Sequence, residues 1–162
     1  MNQAVKIIEK GEFMKKRIQK IILILGIIFL FSILILPRYY NDYIAKTIAN
    51  EIKEIPLPEK TEFLEKKYVA GKLNGCGNGM QYYGAILIKS ELSENELKEY
   101  YNMFSDSEWS NIVEKQIGNS IEMIEHRDIF FQTKFEDNVD YFIVYTWGDY
   151  SGIASELDIR GH

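Results

Sequence analysis

The sequence predicts an α+β protein that begins with a transmembrane helix and a stalk helix. A mainly antiparallel β-sheet follows, with one amphipathic helix packed on a face, in the order β-β-α-β-β-β. Three observations support this fold class: an uncharged apolar run near the N-terminus, a helical repeat of apolar residues after Ser93, and alternation of apolar and polar residues in the later segments.

The apolar run from Ile21 to Leu36 predicts a membrane span, since its 16 residues carry no charge. At 1.5 Å per residue it covers about 24 Å, a little less than a hydrocarbon core of roughly 30 Å. Lys20 and Arg38 can extend toward the headgroups, and an aromatic belt follows at Tyr39, Tyr40 and Tyr43. We therefore assign residues 18–40 as a signal-anchor helix whose partner is the lipid bilayer.

The flanks of this run argue against cleavage and set the expected orientation. No small-x-small cleavage site follows Leu36, and no cysteine follows it directly as in a lipoprotein. Four basic residues lie between Lys15 and Lys20, against Arg38 alone on the far side. The positive-inside rule thus predicts a cytoplasmic N-terminus (residues 1–17) and a C-terminal domain outside the cell membrane.

Met14 is a second candidate start of translation. The segment "KKRIQKIILILG" directly after it has the usual form of a signal-anchor, and "EKGEF" before it can be encoded by a purine-rich string like a bacterial ribosome-binding site. The abundance of Ile, Lys and Asn fits an AT-rich bacterial genome. We therefore expect that residues 1–13 are a start-site artefact, with a short cytoplasmic tail as the alternative.

The charge is distributed unevenly. The net charge of −5 combines +4 up to Pro37 with −9 beyond it, where 13 basic residues face 22 acidic ones. Such an acidic domain repels nucleic acid and anionic headgroups, so no nucleic-acid partner is expected. Hydrophobic residues make up 46% and aromatic residues 14% of the chain, which favours a folded domain over disorder; we place it at residues 59–162.

A second helical pattern follows the membrane segment. Isoleucines recur at positions 44, 48, 52 and 55, and Pro56 and Pro58 end the pattern. We interpret residues 41–58 as a stalk helix and linker. The isoleucine stripe is too short for a coiled coil, so we expect it to pack on the domain.

The exported part begins with two predicted strands and a helix. A first strand is expected after Thr61, and the nearly continuous apolar residues 80–88 predict a central strand buried on both faces. Ser93 and Glu96 form a capping box at the start of an amphipathic helix. Its apolar face consists of Leu97, Tyr100, Tyr101 and Phe104.

The rest of the chain reads as a β-meander. Alternation predicts strands at residues 129–135 and at residues 141–147, the latter with Tyr141, Ile143, Tyr145 and Trp147 on one face. A last strand is expected at residues 155–161, with Glu156, Asp158 and Arg160 on one face. Residues 111–117 and 120–126 form a further predicted hairpin.

The stretch from Gly71 to Gly79 holds four glycines. It also holds Cys76, the chain's only cysteine. It lacks the Gly-Lys-Ser/Thr end of a Walker loop, and a strand rather than a helix follows it, so both nucleotide-binding patterns fail. Two Asn-Gly pairs predict a tight turn instead. A single cysteine forms no internal disulfide, and we regard Cys76 as incidental.

Two sets of residues are candidate sites. Glu156, Asp158 and His162 are the candidate catalytic groups of a small envelope hydrolase, although a solvated strand face with cross-strand ion pairs is the ordinary explanation of the carboxylates. No zinc-like ligand spacing is present, so neither a metal nor a cofactor is expected. Trp147 and Tyr150 lie at a strand end and in a glycine-containing loop, where exposed rings stack on sugars or partner residues.

These patterns favour a non-enzymatic, membrane-anchored extracytoplasmic domain that binds a protein or glycan at the bacterial envelope. In architecture the chain resembles small single-pass exported bacterial domains. The hydrolase is the first alternative. An immunity or inhibitor protein is the second, because an acidic domain suits a basic toxin or enzyme.

Overall fold

The computed structural model of the protein describes residues 2–76, 78–105, 110–149 and 151–162. Three helices, four strands and a 3₁₀ turn are present in these ranges. They follow the order α1 (Asn2–Glu54), β1 (Thr61–Gly71), β2 (Gln81–Ser90), α2 (Glu94–Asn102), β3 (Ile112–Lys115), β4 (Tyr141–Asp149), α3 (Ile153–Leu157) and the 3₁₀ turn (Ile159–Gly161).

The chain forms two compact units, Met1–Leu36 and Pro37–His162. Helix α1 contains the boundary between them, and Pro37 lies within this helix. The first unit carries the apolar run, whose large side chains are exposed. It contains the one helical stretch in the described residues that is long and apolar enough to cross a membrane.

The second unit is built on a four-stranded antiparallel sheet with the strand order β1-β2-β4-β3. Thr61 of β1 pairs with Ser90 of β2, and Gly71 pairs with Gln81 at the other end. We call these the Thr61 end and the Gly71 end of the sheet. Strand β4 begins at the Thr61 end and finishes at the Gly71 end, since Gln81 also pairs with Asp149.

Helices cover one face of the sheet. The last part of α1 packs here through Ala45, Ile48 and Ile52, and α2 packs through Leu97 and Tyr101. A Cβ atom at position 84 of β2 would lie 2.5 Å from the backbone nitrogen of Ala49, so only glycine allows this close approach of helix and strand. The expected packing of the isoleucine stripe on the domain is confirmed, and residues 37–54 belong to the compact unit.

An irregular connection covers the other face. Between β3 and β4 the chain buries Ile121, Ile124 and Phe131 against Tyr83, Leu87 and their neighbours in the sheet. Its one backbone bridge in the described residues joins Ser120 and Phe130. Backbone N–H groups of the connection find hydrogen-bond partners in the sheet. The Glu65 carboxylate of β1, for example, accepts from the backbone N–H groups of Gln132 (2.7 Å) and Thr133 (3.1 Å).

The α+β fold class is confirmed, as are several of its elements. Strand β2 is central, and residues 82–88 are buried on both faces. The capping box of α2 is present, with the Glu96 backbone N–H donating to the Ser93 hydroxyl and the Ser93 N–H donating to the Glu96 carboxylate. The side chains of Tyr141, Ile143 and Tyr145 share one face of β4, as their alternation predicts.

Three predicted strands are wrong. Residues 129–135 alternate like a strand, and residues 120–126 are predicted as the second strand of a hairpin. Both segments form part of the irregular connection between β3 and β4. Residues 155–161, where Glu156 and Asp158 were expected to share a strand face, form the end of α3 and the 3₁₀ turn. In residues 129–135 the alternation reflects packing against the sheet, since Phe131 is buried and Ile129 and Phe135 are half-buried while the residues between them are exposed.

Candidate functional site

A buried polar network joins the C-terminal segment to α1 at the Gly71 end. The Asp158 side chain, 2% exposed, accepts from Arg160 Nη2 at 2.6 Å and from Asn41 Nδ2 at 2.9 Å. Asn41 Oδ1 in turn accepts from the Tyr82 hydroxyl at 2.7 Å. Arg160 also donates to Asp42 Oδ1 at 2.7 Å and to the Arg38 carbonyl oxygen at 3.1 Å. The network therefore fixes the chain's C-terminus to the first turns of the domain.

The charges in this network stabilise one another. Burial alone would raise the pKa of Asp158, but hydrogen bonds from Arg160 and Asn41 outweigh this effect and hold its pKa at about 2. Burial would lower the pKa of Arg160, whereas its bonds to Asp158 and Asp42 raise it. Both groups are thus ionised across the neutral range, as expected of a structural ion pair.

The three candidate catalytic residues have different environments. Asp158 is committed to the buried network, whereas Glu156 and His162 are exposed. The His162 ring contacts the backbone carbonyl of Glu156 at 3.2 Å, not its carboxylate. A general acid near neutral pH needs a raised carboxyl pKa, and that of Asp158 is lowered. In the described part of the chain, no group of three or more His, Cys, Asp or Glu residues is placed to hold a metal ion.

The glycine stretch is held on several sides. Gln81 Oε1 accepts from the backbone N–H groups of Leu73 (2.9 Å) and Asn74 (2.8 Å), and the Glu125 carboxylate accepts from Gly75 N–H (3.1 Å). The C-terminal segment closes it from another side, where Lys72 N–H donates to the Arg160 carbonyl oxygen at 2.6 Å. Strands β1 and β2 are joined by residues 72–80, so the predicted tight turn is wrong and a longer, braced loop takes its place.

Of the two aromatic candidates, the structure describes Trp147. Its indole is half-buried and meets the Tyr83 ring edge-on, with centroids 5.9 Å apart. Tyr83 itself is fully buried, and among the described atoms its hydroxyl has no hydrogen-bond partner. One part of the Trp147 ring therefore serves packing and the other part remains accessible. Tyr150 lies outside the described residues.

A cavity of about 610 Å³ opens at the Thr61 end. It lies where β1 begins, β2 ends and β4 begins, and we call it the strand-end groove. Its charged groups are of both signs and its lining includes two hydroxyls, those of Thr61 and Ser90, 2.7 Å apart. The lining residues are Lys60, Thr61, Glu62, Lys89, Ser90, Glu91, Asn138, Val139 and Asp140.

The backbone of this groove has an unusual feature. Lys60 (φ 61°) and Asn138 (φ 63°) are the two non-glycine residues with positive φ in the described ranges, and both line the groove. A positive φ is unfavourable for a lysine and is retained where the surroundings impose it. Here the Lys60 carbonyl oxygen accepts from Glu91 N–H at 3.1 Å, which fixes the loop across the groove.

Sequence reasoning missed both the groove and the network. The groove residues come from three distant segments and match no motif. The network had a partial signal, since Asp158 and Arg160 are two residues apart, but their partner Asn41 lies more than a hundred residues away. Their alternation suggested a solvated strand face, whereas the Asp158 side chain is buried.

No protein-family model matches this chain, and neither a curated protein nor a solved structure is similar to it.

Proposed function

We propose that this protein is a single-pass membrane protein that holds a non-enzymatic binding domain at the outer side of a bacterial cell membrane. The observation that carries the proposal is the exposed apolar run, which passes directly into the folded unit Pro37–His162. Exposed apolar side chains over this length are stable only in a lipid environment. The basic residues before the run favour a cytoplasmic N-terminus.

The strand-end groove is the proposed site for the partner, which is a protein or an envelope glycan. It is concave, and its exposed Lys60, Glu62 and Asp140 can exchange hydrogen bonds with a polar ligand. Binding sites on rigid elements are more precise than those on loops, and four of the nine lining residues of this groove lie at the ends of β1 and β2. Trp147 and Tyr150 are a second candidate surface, suited to stacking on a sugar ring.

Among the alternatives, charge favours the inhibitor over the hydrolase. The acidic balance of the domain complements a basic protein, which supports an immunity or inhibitor role as a special case of protein binding. The hydrolase requires Glu156, Asp158 and His162 to act together. The burial of Asp158 between Arg160 and Asn41 leaves it without a free carboxylate oxygen edge for such a role.

The orientation can be tested with the chain's own cysteine. Cys76 is exposed in the domain, so a membrane-impermeant maleimide should label it in intact cells. As the matched control, a Cys76→Ser, Lys16→Cys chain should be labelled only after the cells are permeabilised. Labelling of Cys76 that needs permeabilisation would show the reverse orientation.

The partner site can be tested by site-specific crosslinking of the full chain in nanodiscs. A photo-reactive residue at Glu62, on the groove rim, should capture a protein or glycan from bacterial envelope fractions. The same photo-reactive residue at Lys134, which is also exposed but lies outside the groove, is the control. Capture at Glu62 should be lost in a Lys89→Glu chain, since that substitution reverses a charge in the groove. Equal capture at Glu62 and Lys134 would argue against the groove.

A further inference from the structure

The C-terminal segment exposes large aliphatic side chains close to the start of the domain. Ile153 and Leu157 of α3 are 82% and 45% exposed, and Ile159 of the 3₁₀ turn is 76% exposed. Residues one turn apart on a helix lie on the same face, so Ile153 and Leu157 point the same way. We call these three residues the aliphatic cluster.

Hydrogen bonds place this segment beside the first residues after the apolar run. Asn41 Nδ2 donates to the Ala154 carbonyl oxygen at 3.1 Å, and Arg160 Nη2 donates to the Arg38 carbonyl oxygen at 3.1 Å. Arg38 is two residues beyond Leu36 and Asn41 is five, which in helical geometry is about 3 Å and about 8 Å. The headgroup layer beyond the hydrocarbon core is about 5–8 Å thick on each side. With Leu36 at the edge of the hydrocarbon core, the groups bonded to Arg38 and Asn41 would lie at headgroup depth.

The arginines beyond the apolar run gather at the same place. There are three in all, Arg38, Arg127 and Arg160, against ten lysines. Arg160 is bonded to the Arg38 carbonyl, and a Cβ atom at Gly71 would lie 2.9 Å from Arg127 Nη2 and 3.4 Å from the Arg160 carbonyl oxygen. The acidic domain thus presents its arginines at one end, whereas its net charge alone predicts repulsion from anionic headgroups.

Two of these guanidinium groups are available for an anion. Arg160 is occupied by Asp158 and Asp42, but neither Arg38 nor Arg127 forms a side-chain ion pair within the described residues. Burial and the neighbouring Arg160 and Arg38 lower the pKa of Arg127 by more than Asp42 and Asp158 raise it, so an added negative charge would be favourable there. Guanidinium groups bind phosphate oxygens in a two-pronged geometry.

We propose that the domain rests on the bilayer it is anchored in, with the aliphatic cluster inserted among the lipids and Arg38 and Arg127 bound to headgroup phosphates. The exposed Tyr39 and Tyr40 would lie at the same depth and Tyr43 one helical turn further out, where they extend the interfacial belt. The inference rests on the membrane anchor proposed above, but it does not depend on the partner of the strand-end groove.

Depth-dependent fluorescence quenching of the full chain in vesicles tests the insertion. An environment-sensitive fluorophore is attached in a Cys76→Ser background at Ile153→Cys or Ile159→Cys. The matched control is Ile117→Cys, which is 83% exposed and follows β3 at the Thr61 end. We expect brominated lipid to quench the labels at positions 153 and 159 and aqueous iodide to quench the label at 117. Equal iodide quenching at all three positions would overturn the proposal.

Two further readouts separate the possible failures. A label at Ile28→Cys, inside the apolar run, reports on the anchor; if brominated lipid does not quench it, the anchor itself is wrong. If it is quenched while position 159 is protected only at a high protein-to-lipid ratio, a second copy covers the aliphatic cluster and the seating is wrong.

The phosphate contact is tested by charge removal. Arg127→Gln should weaken lipid quenching at position 159, Arg127→Lys should restore part of it, and Lys134→Gln should leave it unchanged. Thermal unfolding of each variant shows that the domain is still folded. In vesicles of uncharged galactolipid, which lacks phosphate, the wild-type chain should match Arg127→Gln. An unchanged signal for Arg127→Gln in phospholipid would overturn this part of the proposal.

Discussion

At the Gly71 end of the sheet, charged groups are buried and bonded to one another, whereas at the Thr61 end they are exposed around an open groove. Asp158 and Arg160 are 2.6 Å apart with side chains 2% and 13% exposed. Lys115 and Asp140 at the other end are also 2.6 Å apart, but about half of each side chain is exposed. An acid–base ion pair is thus a buried link between the C-terminal segment and α1 at the Gly71 end, and a solvated surface pair at the Thr61 end.

The difference in burial predicts a large difference in energy. Removing one member of a buried ion pair leaves an uncompensated charge, whereas a surface pair contributes little because water screens it. The buried pair at the Gly71 end is therefore suited to holding the C-terminal segment on α1. The solvated groups at the Thr61 end are suited to exchanging water for a ligand.

The largest expected effect is that of Asp158→Asn. The new amide N–H group would face the donors of Arg160 and Asn41, so we expect a loss of about 3 kcal/mol in the free energy of unfolding. Asp140→Asn at the Thr61 end is the matched control, with an expected change of about 0.5 kcal/mol or less. Denaturant unfolding of both full-length variants in detergent measures this; similar losses would abolish the distinction between the two ends.

An intermediate effect is expected from acid. The pKa of Asp158 falls from the ordinary value of 3.8 to about 2 in the folded protein. Because the folded value is the lower one, this stabilisation is complete above pH 3.8 and is lost as the pH falls toward 2. We expect a loss of about 2 kcal/mol over this window. Unfolding curves measured between about pH 5 and about pH 2 check it.

The acid effect has its own control. In the Asp158→Asn chain the group no longer titrates, so its stability should fall less steeply over the same pH window. Parallel curves for the wild-type and the variant would show that other carboxylates cause the acid sensitivity.

The smallest expected effect concerns the groove. Lys60→Gly relieves the positive φ of Lys60 but adds backbone freedom to the unfolded chain, so we expect a gain of about 0.5 kcal/mol. Glu59→Gly, next to it and without positive φ, should lose a similar amount. Thermal unfolding compares the two. A loss for Lys60→Gly equal to that for Glu59→Gly would show that the lysine conformation carries no strain.

Local patterns in the sequence were sufficient for much of the fold. The apolar run, the buried central strand and the capping box at Ser93 each depend on neighbours along the chain, and each could be predicted. Residues 129–135 could not, because their alternating burial arises from packing under the sheet and not from strand pairing. Of the candidate site residues, Asp158 was recognised as a carboxylate of interest but its partners were not.

The sequence by itself determined that this chain has an apolar N-terminal helix long enough to cross a membrane and an α+β domain, because hydrophobicity and its period are local properties. Only the tertiary structure decided that residues 37–54 form part of the domain, that Asp158 is bonded to Asn41 and Arg160, and that the strand ends form a groove. Each of these depends on contacts between residues far apart in the chain, and such contacts leave no periodic signal. For the same reason the glycine stretch is a loop braced by the C-terminus, although its Asn-Gly pairs alone predict a tight turn.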